Sequence, residues 1–303
     1  WTEATLGELL GAIDTPQEAL LTAVCGGYLV DCTSGMDGAR EVPGGWEVTV
    51  RRLVSDCPYT VAGYRLAVSS SGEVALIEET WREESMACAG RRPAGLVPDR
   101  APRRGSRLGR YLASMARLEA SAVIEFGILE QELRALGAPR RLLGEVRAAR
   151  ADEVRHAQVI GELACAHGAR VRPPRVAARP LRDPRTLAID NAVEGCVRET
   201  YGAVVALHQA THAADRDVGS AMEGIARDEL RHAAVSWRIG AWLDGRLDRR
   251  DRAAVRRARR DAARQLEIEA SAPLHAELAM GAGLPRPEVA RALVRTLARD
   301  LWA

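Results

Sequence analysis

From Leu108 onward the apolar residues recur at helical spacing. Leu108, Leu112, Met115, Ala122, Phe126, Leu129 and Leu133 fall on one stripe, the pattern of a helix with a single buried face. It predicts a helix to about Leu136, stopped by Gly137-Ala138-Pro139. A second helix, about Pro139 to His167, carries Leu142, Val146, Ala149, Ile160 and Leu163 on one face, and Gly168 closes it. A third spans about Arg185 to His212, and a fourth about Val218 to Leu243, with the polar break Asp215-Arg216-Asp217 between them. Residues 168–184 hold Pro173, Pro174, Pro180 and Pro184. That segment is too long for a tight turn and reads as a crossover. Two helical hairpins joined by a long crossover make one of the four-helix-bundle topologies. Past Gly245 more helix is expected to about Met280, and Pro285 opens a last one to Trp302.

Residues 1–105 read differently. Thr5–Ile13 and Pro16–Val24 are short helix candidates, the second capped by Thr15 with Pro16 at the first helical position. Strand-like runs follow at Tyr28–Val30, Trp46–Val50, Tyr64–Ser69 and Val74–Trp81, the last two flanking the turn signal Ser70-Ser71-Gly72. The expectation is a small α+β domain over 1–105, covering or regulating a helical domain over 108–303. The Pro-, Gly- and Arg-rich stretch 90–107 would be the linker. The expected fold is therefore mainly α: a four-helix bundle with extra C-terminal helices behind a small α+β domain.

Composition supports helix and narrows the function. Ala, Leu, Arg and Glu dominate, aromatics are 4% with Phe126 the single Phe, and all 43 basic residues are Arg. The formal net charge is +2, so overall charge gives no case for nucleic acid. Nine Arg between 246 and 264 are interleaved with Asp and Ala, and read as a solvated helix face laced by ion pairs. No apolar run reaches membrane-spanning length. Cys25, Cys32, Cys57 and Cys88 lie in the first third; disulfides and reduced thiols are both open readings. The chain opens at Trp1 rather than Met, so a removed leader or tag, and a cytoplasmic or an exported setting, all stay open.

The chemistry concentrates in a repeated hexapeptide. Asp152-Glu153-Val154-Arg155-His156-Ala157 returns as Asp228-Glu229-Leu230-Arg231-His232-Ala233. Positions i and i+3 share a helix face, so each copy presents a carboxylate beside an imidazole. One Glu-x-x-His decides nothing; two in the same frame, each in a helical stretch, look like halves of a duplicated metal site. Such a site also wants a Glu from each remaining helix. Folding the first hairpin about its turn brings the level of Glu153 and His156 to Glu119, with Glu125 about a turn too low. In the second hairpin the level of Glu229 and His232 falls on Glu199 better than on Glu194. Glu194 stays a further candidate ligand should the third helix be distorted. Gly195, Gly202 and Ala203 near Glu199 would leave room beside a metal. Four carboxylates and two imidazoles suit iron or manganese. The alternative is a metal-free network pairing Glu119, Glu153, Glu199 and Glu229 with Arg155, Arg231 and the two His. His208 and His212, at i and i+4, read as solvent-facing, since no carboxylate completes a second metal pair there.

On Glu119, Glu153-x-x-His156, Glu199 and Glu229-x-x-His232, residues 108–244 resemble the ferritin-like di-iron carboxylate superfamily. Its members include ferroxidases, rubrerythrin-type peroxidases and oxygen-activating oxidases and oxygenases. The resemblance implies two iron ions, with manganese or a mixed manganese–iron pair as the alternative. It further implies that Asp152, Arg155, Asp228 and Arg231 orient the metal-bound imidazoles. The expected function is a non-haem di-iron oxidoreductase using O2 or peroxide on a small-molecule or peptide substrate, with a homodimer left open. The alternative is iron oxidation or scavenging with no organic substrate. The chain departs from ferritin proper in its N-terminal 100 residues and its helices past 245, and it lacks a four-cysteine module of the rubredoxin type.

Overall fold

The computed structural model describes residues 10–30, 37–56, 59–85, 90–98 and 105–302. It is mainly helical, with a four-stranded antiparallel sheet near the N-terminus. The chain divides into two compact units, Trp1–Ser85 with Pro98–Ala101, and Met86–Val97 with Pro102–Ala303.

In the first unit, α1 (Pro16–Cys25) starts at a capping box: the Thr15 hydroxyl accepts from Glu18 N–H, and the Glu18 carboxylate accepts from Thr15 N–H. Strands β1 (Gly38–Val42), β2 (Gly45–Asp56), β3 (Tyr59–Ser69) and β4 (Val74–Ser85) form a meander in the order β1-β2-β3-β4. Alternation decides its faces. Trp46, Val48 and Val50 of β2 turn inward with Leu66 and Val68 of β3 onto Ala19 and Ala23 of α1. The β3–β4 hairpin turns at Ser70-Ser71-Gly72, where Gly72 has φ 85°. Two expectations shift. Tyr28–Val30 is not a strand; Leu29 makes only an isolated bridge to Arg51. Strand β1 was not foreseen, although Pro43-Gly44, with Gly44 at φ 87°, is the turn that pairs Val42 with Gly45. Most of the Thr5–Ile13 helix lies outside the described residues. Cys25 is a free thiol, and Cys32, Cys57 and Cys88 lie outside the described residues.

In the second unit the long helices are α2 (Arg107–Ala135), α3 (Arg140–Ala166) and α6 (Arg216–Asp244). The third expected helix is composite: α4 (Pro184–Asp190), a π-helical segment Asn191–Glu199, then α5 (Thr200–His212). Helix α2 packs on α3, α5 on α6, and α3 on α6. The break before α6 falls at residues 213–215, so Arg216 and Asp217 of the expected break already belong to α6. The Asp215 carboxylate caps α6, accepting from Asp217 and Val218 N–H. Further on, α7 (Arg249–Ala270) lies against the π-helical segment, followed by α8 (Ala276–Gly281), α9 (Pro287–Leu297) and a terminal π turn Ala298–Trp302. The α7 face bearing Ala254, Ala262, Ala263 and Leu266 is buried, while Arg256, Arg257 and Arg260 are exposed. Among the described residues no helix is long and apolar enough to cross a membrane.

Two apolar clusters fill this unit. One holds Leu112, Ala116, Ile160, Val197, Tyr201, Met222 and Ala226. The other holds Ala122, Phe126, Ala149, Leu187, Val235 and Ile239. Helix α2 passes from one to the other between Ala116 and Ala122, α3 between Ala149 and Ile160, and α6 between Ala226 and Val235. Glu119, Glu153, His156, Glu229 and His232 occupy those three junctions. They form a polar layer between two apolar ones.

Candidate metal centre

Glu119 from α2, Glu153 and His156 from α3, and Glu229 from α6 each place one donor atom within 4.8 Å of the others. Glu153, His156 and Glu229 are buried; Glu119 keeps some accessible surface. His232 adjoins them, its Nδ1 3.1 Å from Glu153 Oε1 and 3.5 Å from Glu229 Oε1. His156 Nδ1 lies 3.4 Å from Glu229 Oε1 and 3.6 Å from Glu153 Oε2. Four buried atoms of this group have no hydrogen-bond partner: Glu153 Oε2, His156 Nδ1, Glu229 Oε1 and His232 Nδ1. Buried polar atoms are almost always paired. Four orphans facing one another fit a cation better than they fit each other, and carboxylate oxygen with imidazole nitrogen is a donor set for iron, manganese or zinc.

The outward nitrogens are held crosswise. His156 Nε2 of α3 is 3.1 Å from Asp228 Oδ2 of α6, and His232 Nε2 of α6 is 3.1 Å from Asp152 Oδ2 of α3. An ionised carboxylate only accepts, so each Nε2 carries a proton, and an imidazole that gave up its Nδ1 proton to a bound cation would turn that lone pair inward. Arg155 and Arg231 each donate to both aspartates. Each hexapeptide therefore orients the imidazole of the other. Asp228 lies below the usual carboxylate range: burial raises it, and hydrogen bonds from His156 and Arg231 outweigh that.

Electrostatics in the ion-free protein follow from crowding. Burial pushes the His156 and His232 imidazoles down, but the carboxylates of Glu153 and Glu229 beside them win and bring them to about 11 and about 12. Burial likewise raises Glu153, and the polar groups of His156, His232 and Glu119 overturn this, bringing it to about 2. Glu119 goes well above the usual range through burial and the charge of Glu153. Protons thus stand where positive charge is wanted, and a cation would bind in competition with them.

The other candidates are engaged elsewhere. Glu199 accepts from Arg91 Nε at 3.1 Å and from Ser236 Oγ at 3.1 Å. Burial lifts its carboxyl to about 7 against the pull of Arg91. The helix distortion that would have brought Glu194 in does occur, as the π-helical segment. Even so, Glu194 accepts from Arg92 N–H at 3.1 Å and lies 3.8 Å from Arg198. Glu125 is buried against Arg179 and Arg182. The metal-free pairing weighed above is met only in part, since Arg155 and Arg231 go to aspartates rather than to the four glutamates. His208 and His212 stack at 3.9 Å, with His208 Nδ1 2.8 Å from Gly283 O.

Three features were missed. Arg91 lies in the stretch read as solvated linker, yet it is 2% exposed and sits among the helices. Gly195 was read as room for a metal, yet a Cβ there would strike Arg91 Nη2. Arg198 was not singled out, yet it is buried and paired with Glu269 of α7 at 2.8 Å. Arg and Gly in a Pro-rich stretch carry no periodic signal, so nothing local marked Arg91.

Comparison with protein-family models, with curated proteins and with solved structures gives no match.

Proposed function

We propose that the helical unit is a four-helix bundle of the ferritin-like kind that holds a carboxylate–histidine metal centre, and that the protein is an iron-dependent oxidoreductase. The observation that carries this is the set of four orphaned, buried, mutually facing donor atoms, combined with imidazoles whose other nitrogen is fixed by aspartate. Glu119, Glu153, His156 and Glu229 would hold the first ion, and His232 with Glu199 would complete a pair. Iron held by these residues would supply the redox chemistry that reduces O2 or peroxide while an organic substrate is oxidised. The chain's own part is to hold the donors. Asp152 and Asp228 keep the Nε2 protons in place, Arg155 and Arg231 fix the aspartates, and the flanking apolar clusters keep bulk water from the polar layer.

The test is anaerobic loading of the full chain with Fe(II), metal analysis, then O2 uptake. At least one ion per chain is expected, with uptake lost in Glu153→Gln and His156→Ala. Well under one ion per chain would refute the reading. Uptake that scales with added iron and with no organic additive would leave iron oxidation as the reaction.

A further inference from the structure

Arg91 enters the helical unit on a strap, Gly90–Val97, that is pinned along its length. Gly90 N–H donates to Arg198 O at 3.2 Å, and Arg92 N–H donates to Glu194. At the other end Val97 N–H donates to Arg175 O at 2.8 Å, and Gly95 O accepts from Ala177 N–H at 2.9 Å. Between these anchors the guanidinium is received by a built pocket. Nε donates to Glu199 Oε1 at 3.1 Å, and Nη2 donates to Asn191 Oδ1 at 2.9 Å and to Ser236 Oγ at 3.1 Å. Ser236 Oγ in turn donates to the second Glu199 oxygen. The Phe126 ring lies 5.5 Å from the guanidinium carbon. Gly195 is the opening: a Cβ there would come within 2.8 Å of both Asn191 Oδ1 and Ser236 Cβ, besides striking Nη2.

We infer that Arg91 is the resident cation of Glu199, and that a second metal ion reaches Glu199 only by displacing it. This deepens the metal-centre reading and rests on it. Both Glu199 oxygens are already committed, one to the guanidinium and one to Ser236. Arginine stays charged under all ordinary conditions, so it cannot vacate by losing a proton. Expelling it would pull a buried cation off its nearest carboxylate, leaving only Asp190, 4.0 Å from Nη1. The first ion meets no such competitor, because Arg91 bonds to Glu199, Asn191 and Ser236, with Asp190 4.0 Å from Nη1, and to none of Glu119, Glu153, His156 or Glu229. The centre therefore fills in order, with its two positions unequal.

The experiment is a calorimetric titration of the full chain with Mn(II), with metal analysis after gel filtration. The wild type is expected to bind one ion tightly and a second at least about tenfold more weakly, the guanidinium competing for Glu199. Arg91→Gln should tighten the second ion about tenfold or more and change the first by less than about threefold. Arg91→Lys keeps a cation on Glu199 and should keep the wild-type gap. Glu199→Gln should abolish the second ion with or without Arg91. Should Arg91→Gln not fold, Gly195→Ala, which crowds the guanidinium out, is expected to tighten the second ion in the same way. Two ions of equal affinity in the wild type, or a second ion unmoved by both Arg91→Gln and Gly195→Ala, would overturn the inference alone. A wild type that binds no ion would overturn the metal centre and this inference together.

Discussion

On one side of the candidate centre, α2 brings Glu119 to the donors of α3, and no arginine among the described residues pairs with it. On the other side the composite third helix carries Glu199, which accepts from Arg91 and from Ser236 of α6. The hexapeptides behind the two halves are near-copies and their crosswise aspartate–histidine bonds match, 3.1 Å in each direction. The asymmetry enters through the partner helices. Helix α2 is regular, while the segment Asn191–Glu199 is π-helical, a departure that often marks functional sites. A strap from outside the four helices then delivers a cation to that side only. Duplication of a local motif does not ensure two equal sites, because a site is completed by whatever the rest of the chain packs against it.

Both halves are braced by a buried ion pair, and breaking either should have the largest effect. Glu132 of α2 pairs with Arg179 and Arg182, and Glu269 of α7 pairs with Arg198. Glu132→Gln and Glu269→Gln should each cost about 2–3 kcal/mol in urea unfolding at pH 7, since each takes a charged acceptor from a buried arginine, while Glu125 and Asp190 still face Arg182 and Glu194 still faces Arg198. The Glu132 carboxyl lies below its usual range: burial raises it, and hydrogen bonds from Arg182 outweigh that. A depressed folded pKa means the stabilisation is full above the unfolded value near 4.5 and is lost as pH falls through the folded value. The gap between wild type and Glu132→Gln should therefore close in acid; a gap independent of pH would mean the charge is not what matters.

Metal content separates the halves next. Glu153→Gln should weaken the first ion about a hundredfold or more, whereas Glu199→Gln should leave the first ion in place. Equal losses in the two variants would make the centre symmetric after all. The crosswise bonds then make a finer prediction. Asp228→Asn should loosen His156 and weaken the first ion about 10–100-fold, and Asp152→Asn, which acts on His232, should weaken it less. If each aspartate served its own helix, the order would reverse. The smallest effect belongs to the exposed tie between the halves, Arg238 of α6 to Glu145 of α3 at 2.8 Å. Arg238→Ala should change stability by under about 1 kcal/mol and metal content not at all.

The sequence by itself determined the local matters. Apolar spacing placed the helices to within a few residues, because a buried stripe must recur at the helical period. The Thr15 cap was legible because the residue that satisfies a helix end is adjacent to it. The hexapeptides marked the carboxylate–imidazole pairs, because i and i+3 share a face in any helix. What lay outside the chain's local periods had to come from the tertiary structure. Only three-dimensional packing could show that Asp152 serves the histidine of the other helix, or that the third helix widens to a π-helical segment. Its covering by α7 is what makes Arg198 a buried cation rather than a surface one. The same reason explains Arg91. A charged side chain in a Pro- and Gly-rich stretch carries no local sign of burial, and its place is fixed by partners about 100 to 145 positions away, Asn191, Glu199 and Ser236. Local geometry is written in neighbours along the chain, while the pairing of buried charges is settled by which distant segments can satisfy one another.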